Sequence, residues 1–177
     1  MQSKILIHTA LFAEAKTIIE FFKLQCLQNK PYKIYAKDDI LLVVLGMGKD
    51  NTVKIKELFE NYDIKRAINV GIAGCKDTNV EIGSLFCTNH KLTDIKSASL
   101  TTVDKPLSNP KKLDTMLVDM EAKTFLHVSK QYLHAKDIYI LKIVSDHLDT
   151  TIPKKEFVWK IIEKNLKNIS TIVTLKN

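Results

Sequence analysis

The stretch ILLVVLGMGKDN, Ile40–Asn51, compresses a strand, a turn and a helix start into one short run. Ile40–Leu45 is apolar without alternation, the pattern of a strand buried on both faces of a sheet. Two glycines mark its end. Asp50 and Asn51 follow, residue types favoured at helix N-caps, and beyond them Ile55, Leu58, Phe59 and Tyr62 recur at helical spacing. A buried strand that runs directly into a helix is half of a β-α-β unit. Such units carry right-handed crossovers and parallel strands.

The same grammar extends in both directions. KILIHT near the N-terminus is a short buried strand, and Ala15, Ile18, Ile19 and Phe22 predict an amphipathic helix reaching about Leu27. YKIYA reads as a strand, and RAINVG as another that ends in a glycine loop, followed by SLFCTN. Residues 90–110 read as irregular, punctuated by Pro106 and Pro110. Ala122, Phe125, Leu126 and Ser129 mark a third helix, IYILKIV a last central strand, and Val158, Ile161, Ile162 and Leu166 one closing helix after Pro153. The expected architecture is a single three-layer α/β domain over residues 1–177, its central sheet mostly parallel or mixed and flanked by helices. No internal repeat or linker interrupts it.

Composition narrows the function. The chain has 177 residues, 45% hydrophobic and 27% charged, the balance of a soluble globular protein. No apolar run reaches the length of a membrane span, and the N-terminus reads as a strand rather than a leader, so a cytoplasmic protein without membrane contact is expected. The net charge is +7, but Arg66 is the sole arginine and the lysines are spread along every predicted helix. Sequence-specific nucleic-acid recognition favours the bidentate guanidinium, so a solvated lysine surface is the better reading. Cys26, Cys75 and Cys87 lack C-x-x-C spacing, and SDHLD at 145–149 fits no metal motif, so neither disulfides nor a metal site is expected.

Acids fall where a parallel sheet binds ligands, at the carboxyl ends of strands. Glu14 follows KILIHT, Glu121 follows LVDM, and Asp146 follows IYILKIVS, while GMGK and GIAG end two further strands. Such convergence is what a pocket requires. Each acid has a plainer reading: Glu14 as a first-turn acid on a helix dipole, Asp146 as a turn residue, Asp119 as a cap. His8 and His147 read as structural.

Taken in order, ALFAEA, GMGK, GIAGCKDTNVEIGSLF, VDMEA and IVSD cover almost the whole chain and resemble the nucleoside phosphorylase and nucleosidase superfamily, which includes the methylthioadenosine/S-adenosylhomocysteine nucleosidases. SLTTVDKP before VDMEA also resembles a shorter, hopanoid-associated phosphorylase-like branch. The resemblance implies cleavage of the N-glycosidic bond of a purine nucleoside, adenine-type by virtue of Asp146, hydrolytic rather than phosphorolytic. In it Asp146 and Glu14 are catalytic, the first protonating the base and the second orienting the water. Glu121 grips the ribose hydroxyls, Met120 packs on the sugar, and Gly71, Ala73, Gly74 and Ser145 line the substrate. No cofactor is implied, with phosphate the one candidate co-substrate, and a homodimer is compatible because such sites are often finished by a neighbouring subunit. Ile72 and the short segment at residues 90–116 depart from the pattern. They motivate an alternative, a nucleoside-binding module of the same fold with impaired catalysis. A plain flavodoxin-like domain would be the reading if Glu14, Glu121 and Asp146 failed to share a cleft.

Overall fold

The sequence folds around four parallel strands whose carboxyl ends meet on one edge. The computed structural model describes residues 3–149 and 151–175. In chain order its elements are β1 (Lys4–Thr9), α1 (Phe12–Phe22), β2 (Gln25–Gln28), β3 (Lys33–Lys37), β4 (Ile40–Val44), a one-turn α2 (Lys49–Thr52), α3 (Ile55–Asn61), β5 (Ile64–Cys75), β6 (Leu85–Cys87), β7 (Lys96–Ser97), β8 (Leu100–Thr102), β9 (Leu117–Asp119), α4 (Ala122–Ser129), β10 (Ile138–Asp146), α5 (Lys155–Glu163) and α6 (Leu166–Val173). The sheet order is β2-β3-β4-β1-β5-β10-β6-β7, with β9 paired to β5 and β8 to β9. β4, β1, β5 and β10 run parallel; β3 on one flank and β6 on the other are antiparallel to their inner neighbours.

Successive residues of the central strands enter opposite cores, which is why those strands are continuously apolar. Ile5, Ile7, Ile68, Val70, Leu141 and Ile143 pack with α1, α5 and α6 on one face. Leu6, Leu41, Val43, Ala67 and Ile140 pack with α3 and α4 on the other, around Phe125, which is fully buried. These are the three layers expected.

Several boundaries differ from the sequence reading, each for a local reason. α1 stops at Phe22 rather than near Leu27, because Lys23 turns left-handed (φ 55) and the Leu24 N–H returns to the Ile19 carbonyl. Gln25–Gln28 then pairs with β3 as an edge strand. The cap before α2 is Gly48, not Asp50 or Asn51; the Asn51 side chain instead donates to the Met47 carbonyl. Within residues 90–110 two short strands form, and β8 has a role in the site. The closing helix is two, α5 and α6, hinged at Asn165, whose amide donates to the Ile161 and Gly83 carbonyls. GIAG is not a loop: Gly71–Gly74 lie inside β5.

Candidate active site

β5 is longer than the strand beside it, and the site lies in the gap this creates. β1 pairs with β5 as far as His8 opposite Asn69 and then parts from it, while still pairing with β4 at Thr9. β9 joins only at Gly74 and Cys75, from the opposite direction. Between them β5 has an open edge, and the Ile72 N–H on that edge donates to Glu14 Oε1 at 3.0 Å. In GIAG this backbone group orients a carboxylate.

Glu14 is a first-turn acid of α1 that also reaches across to β5. Oε2 accepts from the N–H groups of Ala10 (3.0 Å) and Leu11 (2.8 Å), capping the first turn of α1, while Oε1 crosses to Ile72. Burial raises its pKa to about 7, against the opposing N–H bonds and the charge of Lys142. Gly71 stands directly behind it. A Cβ there would sit 3.1 Å from Glu14 Oε1 and 3.3 Å from Lys142 Nζ, so any side chain would press on both charged groups by a few tenths of an ångström.

Asp119 and Glu121 divide the work at the β9–α4 junction. Asp119 Oδ2 accepts from the N–H groups of Glu121 (3.2 Å) and Ala122 (2.8 Å), capping α4, and Oδ1 accepts from the Thr102 hydroxyl of β8 at 2.6 Å. With the helix end satisfied, the Glu121 carboxylate is free to turn to the cleft, where it accepts from the Gly48 N–H at 2.8 Å. Burial raises the Glu121 pKa, opposed by Lys142 and that N–H.

Asp146 ends β10 at an irregularity in its pairing with β5, a feature common beside active sites. The Ser145 hydroxyl donates to its Oδ2 at 2.6 Å, and the Asp149 N–H to its Oδ1 at 3.0 Å. A Cβ at Gly74 would lie 3.1 Å from Oδ1. Nearby Leu148 holds a left-handed backbone (φ 63), at a cost of roughly 1–2 kcal/mol, and is buried against this wall.

Glu14, Ala73, Gly74, Met120, Glu121, Ser145 and Asp146 line one cleft of about 820 Å³, open mouth included. Of the residues expected at the substrate, Gly71 alone is absent from the lining; it acts behind Glu14. An apolar part of the lining was not foreseen: Val103, Pro106 and Leu107 from the segment after β8, with Leu148 and Ile152. An exposed Lys49–Asp104 ion pair at 3.0 Å links that segment to α2. His8 is buried and structural: its ring stacks on Phe125, its Nδ1 meets the Asn69 amide, and burial with Lys142 lowers its pKa to about 3. Among the described residues, no group of three or more His, Cys, Asp or Glu side chains is placed to hold a metal ion.

The largest omission of the sequence reading is Lys142. Its side chain is 1% exposed, and its Nζ lies 2.8 Å from Asp119 Oδ2. Burial works to lower its pKa, but Asp119 and Glu121 outweigh this and raise it; Asp119 in turn is held below the usual carboxylate range despite burial. A lysine inside the apolar run IYILKIVS was the available signal, since a buried charge requires a partner.

This architecture belongs to a known class of fold: the chain shares it with solved nucleosidases. The 5′-methylthioadenosine/S-adenosylhomocysteine nucleosidase of Helicobacter pylori, with butyl-thio-DADMe-Immucillin-A, matches with a TM-score of 0.82 at 14% identity over 98% of each chain. A futalosine hydrolase mutant of the same organism matches at 0.81 and 14% identity over 97% of this chain and 99% of that one. The corresponding Campylobacter jejuni nucleosidase matches at 0.77 and 17%, over 98% of this chain and 100% of that one. No protein-family model matches the sequence, and no curated protein matches it closely. The fold implied by the motifs is the fold found.

Proposed function

We propose that the protein hydrolyses the N-glycosidic bond of a purine nucleoside, with an adenine-type base. The observation that carries this reading is the convergence of Glu14, Glu121 and Asp146, from three separate strand ends, on one cleft. Each has a different setting suited to a different task. Glu121, accepting one N–H and otherwise turned to the cleft, is placed to accept hydrogen bonds from two ribose hydroxyls. Asp146, oriented by Ser145 and Asp149, faces the base and donates its proton to the departing purine nitrogen. Glu14 takes the proton of the attacking water as the water's oxygen bonds to the anomeric carbon. The bond to the base breaks as that bond forms, and the sugar passes through an oxocarbenium-like state. Positioned acid–base groups of this kind contribute typically 10²–10⁴-fold each.

Water rather than phosphate fits the cations present. Arg66 lies at the far end of β5, where it donates to the carbonyls of Ile172, Val173 and Leu175, and Lys142 is paired with Asp119. The test is free-base release from adenosine, methylthioadenosine, S-adenosylhomocysteine, inosine and futalosine, with and without phosphate. Phosphate-independent release, lost in Glu121→Gln, is expected. Release that requires phosphate would make it a phosphorylase, and no release from any would leave the cleft a binding site.

A further inference from the structure

Lys142 projects from β10 beneath the cleft, and four elements turn a titratable group towards it. Asp119 comes from β9, Glu121 from the start of α4, Glu14 from the end of the first strand-to-helix turn, and His8, neutral, from β1. Helix capping by Asp119 does not call for this cation, since a neutral asparagine caps as well. Nor does stability, because a buried ion pair is commonly replaceable by apolar residues without loss. Yet Gly71 leaves out a side chain so that Lys142 and Glu14 can approach the same space.

Resting on the reading above, we propose that Lys142 is a positioning residue of the catalytic site, the single buried cation about which Glu14 and Glu121 are set. Asp119 anchors it, and it acts through the two other carboxylates rather than on the substrate. One positive charge among three acids leaves a net negative field facing the cleft, where a sugar ring gaining positive charge would lie. The cation also limits that field: without it, Glu14 would hold its proton more tightly and fail as a base for water. Asp119 further joins Lys142 to the apolar wall, through Thr102 of β8 and the Val103 N–H, which donates to the Asp119 carbonyl at 2.8 Å.

The test separates charge from architecture. In Lys142→Met/Asp119→Asn the ion pair is removed as a unit, while the asparagine oxygen keeps the two α4 N–H bonds. The urea midpoint should stay near wild type. Turnover of whichever nucleoside the wild type cleaves should fall at least tenfold, mostly in kcat, and the carbon-13 signal of the Glu14 carboxyl should titrate at higher pH. Asp119→Asn alone leaves the lysine charge to act on Glu14, so that titration should move to lower pH; this variant decides the matter if the double variant does not fold. Turnover within twofold of wild type and an unmoved Glu14 titration would reduce Lys142 to a fold element and overturn the proposal. If wild type cleaves no nucleoside, the proposed reaction fails on its own, and the two opposite Glu14 shifts still uphold or overturn the placement of the charge.

Discussion

The two ends of β5 each bury a cation and resolve it differently. At the foot, Arg66 is 3% exposed and donates to carbonyl oxygens at the end of α6, neutral acceptors at the negative pole of a helix. At the head, Lys142, from the adjacent strand, meets a full carboxylate, with two more whose charges it feels. The foot ties its cation to the end of a helix. The head carries more acid than base, in a cleft that admits a ligand. Buried charge by itself thus says little; what sets the head apart is a group of acids around one cation at an open edge.

The sharpest break between the two ends should be catalytic. Asp146→Asn or Glu14→Gln is expected to lower kcat/KM by about 10²–10⁴-fold. Arg66→Lys should leave kcat/KM of the folded enzyme within a few-fold, and steady-state base release compares them. Equal losses at both ends would erase the distinction.

Stability should divide them next. Lys142→Met alone strands Asp119 as an uncompensated buried charge, at a cost of about 3–5 kcal/mol. Arg66→Met leaves the carbonyls of Ile172, Val173 and Leu175 short of a donor, at a cost of about 1–3 kcal/mol. Urea denaturation of both variants ranks them, and the reverse order would mean that the foot carries the greater electrostatic load.

A third contrast is in pH. The folded Glu14 value, about 7, exceeds the ordinary 4.5, so the folded state holds an extra proton between those limits. Its contribution is full below about pH 4.5 and is lost as pH rises through 7, in total about 3 kcal/mol. Glu14→Gln lacks this slope, so the stability of wild type relative to the variant should fall between pH 5 and pH 8. Asp119, held low, titrates below that window. The kcat/KM profile should carry an acid limb near pH 7, where Glu14 loses the proton that prevents it from acting as a base.

The smallest effect is steric. Gly71→Ala places a methyl against Glu14 Oε1 and Lys142 Nζ, and should cut kcat/KM about tenfold, or about 1.4 kcal/mol. A crystal structure of the variant showing both groups unmoved would refute the stated reason for the glycine.

Much of this was legible in the sequence because burial on two faces leaves an unmistakable trace. Ile40–Leu45 and Ile138–Val144 could hardly be other than central strands, and acids just beyond such strands have few places to go. What stayed hidden depended on distance along the chain. Nothing near GIAG announces that β1 will leave β5 and β9 will arrive late, which turns a supposed loop into an open strand edge. The local cap that stops α1 at Lys23 carries no glycine to announce it, and the edge that Gln25–Gln28 pairs with comes from β3, further along the chain. Lys142 was readable as an oddity, but its partner Asp119 is 23 residues away, so only the fold could name it. The apolar wall at Val103–Leu107 lacked any periodicity to betray it.

The length of β5 has a metrical consequence. Glu14 is tied to the Ile72 N–H, and Asp146 lies against Gly74, two positions further on the same strand. Strand pitch, about 3.3 Å per residue, therefore fixes the separation of those two reference points at roughly 7 Å. The two carboxylates are gauged against one rigid rule rather than against the connections around them. Insertions, deletions or drift in the surrounding segments can remodel what enters the cleft while the span between the two carboxylates stays constant.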